Sequence, residues 1–190
     1  MCRLDDCCIY DSARKSTCTL SAKGSGGTLS VAVQKDERLL VYDLERYLGE
    51  RPIQRPDYLL IGRVGDGPWV VVLVELKSGT GRGKALEQFR EVLPALGKGG
   101  EDGGERHHQE CADRLPPGRG HRVVAVVVGQ VGREYRKSRR RDRKTRDRRQ
   151  GLRWGNKEVL IASPMFGKSF RSLRDFWIQL GILGSGGTGR

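Results

Sequence analysis

From Trp69 to Lys77 the chain reads Trp-Val-Val-Val-Leu-Val-Glu-Leu-Lys, and this run constrains the fold more than any other. Val70 to Val74 has no polar alternation, so both faces of the strand it predicts must be buried. Such a strand sits inside a sheet covered on two sides. The preceding run, 57–64, reads as a second strand, and Gly65-Asp66-Gly67-Pro68 between them as a turn. Two β-rich runs joined by a short glycine loop predict an antiparallel hairpin.

The rest of the chain supplies partners for that hairpin. Leu40, Leu44, Tyr47 and Leu48 fall at helical spacing, which predicts a helix over 36–48 with Asp36 as N-cap and Gly49 as its stop. A helix over about 83–93 follows the Ser78–Gly81 break, with Ala85, Leu86, Phe89 and Leu93 on one side and Pro94 near its end. Residues 121–129 read as a third buried strand and 157–163 as a fourth. Residues 169–180 read as a last helix with Leu173, Phe176, Trp177 and Leu180 inward. Helices alternating with buried strands predict an α/β layered domain with a mixed sheet over 29–181. Residues 1–28 read as a cysteine-containing appendage, 97–120 as a mobile glycine-rich loop, and 182–190 as a flexible tail.

Charge speaks to partners. The net charge is +13 and the pI about 10. The block 133–153 holds 12 Lys and Arg against Glu134, Asp142 and Asp147, which leaves +9 of that total. A soluble polycation of this kind attracts nucleic acid. Arg136, Lys137, Arg139, Arg140, Arg141, Arg143, Lys144 and Arg146 are the candidate phosphate contacts, since the guanidinium fork suits phosphate. Aromatic residues stand only at the ends of the block (Tyr135, Trp154), which favours backbone contact over base stacking. No apolar stretch approaches the roughly 20 residues of a membrane span, and no signal peptide is read, so a cytoplasmic location is expected. Cys2, Cys7, Cys8 and Cys18 crowd the first 18 residues. Their spacing lacks paired zinc knuckles, and free thiols, a Cys8–Cys18 disulfide and a metal site all stay open. His107, His108 and Cys111 form a second, weaker candidate for metal.

Chemistry concentrates at the end of the central strand. Glu75 and Lys77 are two apart and share a face. Asp57 begins the other strand of the hairpin and comes level with them. It shares their face only if the loop is of odd length or bulged, because an even register opposes it to Leu76. Two carboxylates suit a hard divalent cation, and a cation beside a phosphate lowers the pKa of water and screens charge.

Pro56-Asp57…Glu75-Leu76-Lys77 resembles the signature of the PD-(D/E)xK nuclease superfamily, and 36–78 is similar to archaeal Holliday-junction resolvases. The resemblance covers roughly 36–163. It implies a restriction endonuclease-like three-layer core, with a mixed central sheet flanked by helices. It further implies a divalent-metal-dependent DNA endonuclease using Mg²⁺ or Mn²⁺. Asp57 and Glu75 would hold the metal and Lys77 would assist the nucleophile. A glutamate early in the first helix would join the metal site: Glu37 here, with Glu45 a weaker match. Gln88 matches a helical glutamine that often supports such sites. Val92 stands where the exonuclease branch has tyrosine, which sets the chain apart from that branch. DNA is the favoured partner over RNA, and a homodimer would suit a duplex with two strands to cut. The alternatives are a non-catalytic nucleic-acid-binding protein of the same fold and a cysteine-ligated zinc or iron–sulfur protein.

Overall fold

The computed structural model describes residues 8–21, 28–50, 52–77, 82–97, 122–129, 152–154, 157–162 and 168–184. Within them lie β1 (Cys8–Asp11), β2 (Thr17–Ser21), β3 (Thr28–Ala32), β4 (Glu37–Asp43), α1 (Leu44–Leu48), β5 (Tyr58–Val64) and β6 (Val70–Lys77). They continue with α2 (Arg82–Gly97), β7 (Arg122–Gly129), β8 (Leu152–Trp154), β9 (Lys157–Ile161), β10 (Lys168–Phe170) and α3 (Leu173–Gln179). The fold is mixed α/β. A seven-stranded sheet runs β1-β4-β5-β6-β7-β9-β8, and a three-stranded sheet runs β10-β3-β2.

β6 lies at the middle of the large sheet, antiparallel to β5 and parallel to β7. Its even residues, Val70, Val72, Val74 and Leu76, enter one core with Leu39, Val41 and Leu60, with Leu173, Phe176 and Trp177 of α3, and with Cys18, Leu20, Leu29 and Val31 of the small sheet. Its odd residues, Val71 and Leu73, enter a second core with Leu59 and Ile61, with Leu44, Tyr47 and Leu48 of α1, and with Ala85, Phe89, Val92, Leu93 and Leu96 of α2. Both faces are covered, which is why the run carries no polar alternation. Each fully buried Val or Leu contributes about 1.5–3 kcal/mol of apolar burial.

The segment 36–48, expected as one helix, is β4 followed by the five-residue α1. Leu39 and Val41 serve one core while Leu40 and Tyr42 lie against the other, a period of two that the helical spacing of Leu40, Leu44, Tyr47 and Leu48 conceals. The N-cap is Asp43, whose Oδ1 accepts the Arg46 N–H at 3.0 Å, and not Asp36. Gly49 does end the helix, at φ 61, where glycine avoids the Cβ penalty.

Other boundaries also moved. α2 continues past Pro94 to Gly97, holding Leu96 in the second core. Lys168–Phe170 is a strand parallel to β3, although 169 and 170 were expected to open the last helix, and Ser172 then caps α3 by accepting the Asp175 N–H at 3.0 Å. Residues 8–21, expected as an appendage, are built into the fold. β1 extends the large sheet beside β4, and Tyr10, Cys18 and Leu20 are core residues. Of the expected loop 97–120, Gly97 ends α2 and the remainder lies outside the described residues, as does most of the basic block. Among the described residues no helix is long and apolar enough to cross a membrane.

Candidate active site

The β5–β6 register pairs Tyr58 with Val74 and Gly62 with Val70, leaving a connection of odd length, 63–69. One further step sets Asp57 opposite Glu75, the register that places both on one face. Asp57 Oδ2 accepts the backbone N–H of Leu76 at 2.6 Å, between Glu75 and Lys77. The Asp57 carbonyl accepts the Leu44 N–H at 3.1 Å and so also anchors the start of α1. Glu75 is 3% exposed and follows Val71 and Leu73 on the α2 side of the sheet. A buried carboxylate is costly unless charge or hydrogen bonds compensate it. Lys77 closes β6, paired in register with Gly129 of β7. Its side chain lies outside the described residues.

Gln88 of α2 reaches this end of the hairpin. Its Nε2 donates to the Arg55 carbonyl at 2.8 Å, two residues before Asp57. Its Oε1 is buried and, among the described residues, accepts no hydrogen bond. The 49–57 connection is fixed by two more bonds, Arg55 Nη1 to the Gly49 carbonyl at 2.7 Å and the Gln54 N–H to Glu91 Oε2 at 2.6 Å. The entry to β5 is thus pinned to both helices of this face, which orients Asp57.

One acid stands here that the sequence reading did not identify, and a second that it named as the weaker match. Asp43 lies opposite Tyr58 in register, and Glu45 is exposed in the first turn of α1. The Tyr58 hydroxyl donates to the Ser21 carbonyl at 3.1 Å. Its pKa is raised, first by burial and then by the charges of Asp57, Asp43, Cys18 and Glu45. Asp43 was legible as a possible cap, an aspartate before Leu-Glu-Arg, but only the strand ending there brings it level with Asp57.

Glu37 is elsewhere. It opens β4 opposite Val64, whereas Asp43 at the far end of β4 opposes Tyr58. Six residues of strand, about 20 Å, separate it from the Asp57 end. Its buried carboxylate accepts three backbone N–H groups: Gln34 at 2.9 Å, and Leu173 and Arg174 at 2.8 Å each. Glu37 therefore caps the start of α3 and does not join Asp57 and Glu75, because residue 37 lies on a strand and not on the expected helix.

Among the described residues, no group of three or more His, Cys, Asp or Glu side chains is arranged to hold a metal ion. The site is a carboxylate pair with a neutral amide oxygen nearby. These are hard oxygen donors, and Mg²⁺ is ordinarily held by one or two carboxylates while keeping several waters. The residues present fit such an ion. Cys8 and Cys18 are free thiols on different sheets, which removes the Cys8–Cys18 disulfide. Cys2, Cys7, His107, His108 and Cys111 lie outside the described residues, as do Arg136, Lys137, Arg139, Arg140, Arg141, Arg143, Lys144 and Arg146. Comparison with family models, with curated proteins and with solved structures finds no match to this chain.

Proposed function

We propose that the protein is a divalent-metal-dependent nuclease acting on DNA, with a restriction endonuclease-like core. The observation that carries this reading is the Asp57–Leu76 hydrogen bond, in a register that sets Asp57 against buried Glu75. Asp57 and Glu75 would hold Mg²⁺ or Mn²⁺, with the Gln88 amide oxygen at the margin of the site. When bound, the ion supplies charge against the phosphate oxygens and lowers the pKa of water.

The chain's own groups do the rest. The Leu76 N–H fixes one carboxylate oxygen of Asp57 and so orients the carboxylate. Lys77, next along the strand, brings positive charge to the phosphate and steadies the attacking water. Water oxygen bonds to phosphorus, one P–O ester bond breaks, and the departing strand end takes a proton as a hydroxyl. The cationic block 133–153 supplies the electrostatic hold on the nucleic-acid backbone.

The test is cleavage of linear, branched and single-stranded DNA, and of RNA, with Mg²⁺ or Mn²⁺. It compares the wild type with Asp57→Ala and Lys77→Ala. Metal-dependent cutting lost in both variants supports the reading and names the substrate. Tight, salt-sensitive binding with no cutting under either metal replaces it with a non-catalytic binding protein.

A further inference from the structure

At the other end of the sheet three connections enclose an open cleft of about 720 Å³. Its walls are the β1–β2 turn (12–16), the β3–β4 connection (33–36) and the end of β5 with the start of the loop that follows it (63–66). We propose that this cleft is a second nucleic-acid contact, a seat for the phosphodiester backbone. It does not depend on the carboxylate pair being a nuclease centre.

The first argument is charge. Arg14, Lys15, Lys35, Arg38 and Arg63 line the cleft against three acids. Two of those acids are engaged elsewhere. Glu37 is bound to the three N–H groups described above. Asp36 lies 3.8 Å from Arg174. Asp66 is the remaining opposing charge on the rim. Arg38 is paired with Asp11 at 3.2 Å. Arg14, Lys15, Lys35 and Arg63 have no carboxylate within ion-pair distance among the described residues. Four like charges gathered around a concavity repel each other and are relieved by an anion.

The second argument is preorganisation. The β1–β2 turn is closed by the Ala13 N–H on Asp11 Oδ1 at 2.8 Å, and by the Tyr10 hydroxyl on the Lys15 carbonyl at 2.7 Å. Ser12 exchanges two bonds with Leu39 at 3.0 Å each, one from its N–H and one to its Oγ. The Val33 N–H reaches the Ser16 carbonyl at 2.7 Å, and the Gly65 N–H the Asp36 carbonyl at 2.7 Å. The three walls are therefore hydrogen-bonded to one another. Arg63 lies over the Trp69 ring, 5.2 Å from its centroid, which restrains the guanidinium without covering its fork with a carboxylate. Cations held on rigid walls lose less entropy on meeting a phosphate than cations on a free chain.

The cleft and the Asp57–Glu75 end are separated by the length of β4, about 20 Å, which corresponds to about six nucleotides at 3.4 Å each. A nucleic acid has the length to reach both; a mononucleotide does not.

The experiment is anisotropy of a labelled DNA duplex with the full chain in EDTA, across a range of salt. It compares the wild type with Lys15→Gln/Lys35→Gln/Arg63→Gln. A control removes charge outside both the cleft and the 133–153 block, Arg46→Gln/Arg90→Gln, matched in charge to Lys15→Gln/Lys35→Gln. Each lost phosphate contact lowers the slope of log K against log salt by roughly 0.9. The cleft variant is expected to bind about tenfold or more weakly, with a slope shallower by about 2 to 3, and the control to change it by less than about 1. Lys15→Gln/Lys35→Gln, which keeps the Arg63–Trp69 contact, should still lower the slope by about 2. Equal effects of cleft and control variants, or no effect of the cleft variants, overturn the proposal. Binding that persists in EDTA while cleavage fails in Mg²⁺ removes the nuclease reading and leaves this one standing.

Discussion

Asp57 accepts the backbone N–H of Leu76 at 2.6 Å, so a side chain from the start of β5 fixes the backbone of the strand that carries Glu75. The bond is structural, and on the proposed reading it also orients a metal ligand; two substitutions separate the roles. Asp57→Asn keeps an oxygen for the N–H but loses the charge. Its urea midpoint should correspond to a loss of about 1 kcal/mol, while Mg²⁺-dependent cleavage falls by about a hundredfold or more. Asp57→Ala leaves the N–H without an acceptor and should cost about 1–3 kcal/mol as well as activity. Equal cleavage by Asp57→Asn and the wild type would remove Asp57 from the metal site.

Glu37 makes the opposite prediction. Its carboxylate caps the start of α3 from about 20 Å along β4. Glu37→Ala orphans three N–H groups and should destabilise the fold by about 3 kcal/mol or more, measured by denaturant unfolding. Wherever that variant remains folded, its metal-dependent cleavage and its Mn²⁺ affinity should match the wild type. A selective loss of metal binding with stability intact would contradict the capping role.

Gly62 tests the packing beneath α3. A Cβ there would stand 2.7 Å from the Arg38 carbonyl oxygen and 3.2 Å from side-chain atoms of Leu173 and Trp177. The carbonyl belongs to the paired strand and has no room to retreat. Gly62→Ala should lower stability by about 1–3 kcal/mol, read from the shift in thermal midpoint. An unchanged midpoint would mean that α3 is not seated against β5 as described.

The thiol of Cys18 gives a pH dependence with a defined sign. Burial pushes it up to about 12 from an ordinary 9.0. Tyr10 is also raised to about 12 from 10.0, first by burial and then by the charges of Cys18 and Asp11. Above pH 9 the unfolded chain sheds protons that the folded chain keeps. Stability from these groups is therefore complete below about 9 and drains away as pH climbs towards 12. Urea midpoints at rising pH should fall more steeply in the wild type than in Cys18→Val. For the same reason, Cys18 should resist alkylation at pH 8 until the protein unfolds.

Much of the central architecture was readable because its cause is local. The uninterrupted Val70–Val74 run could only be an interior strand, and the odd connection 63–69 met the parity that Asp57 and Glu75 require. The inner face of α3 was also plain: Leu173, Phe176, Trp177 and Leu180 are all buried. The segment 36–48 was not readable, because Leu39-Leu40-Val41-Tyr42 is buried on both sides and such a run fits either period. That one ambiguity displaced Glu37 from the site and hid Asp43. Nothing in the first 28 residues announced that Tyr10, Cys18 and Leu20 would join the same core as α3, since that core draws together residues more than 150 positions apart.

The alternation along β6 has a thermodynamic reach beyond packing. Val72 and Leu73 are covalent neighbours, yet one answers to α3 and the small sheet and the other to α1 and α2. Either side can loosen while the other still grips the strand. The amides at its centre should therefore be the slowest to exchange with deuterated solvent, released only when both compartments give way together.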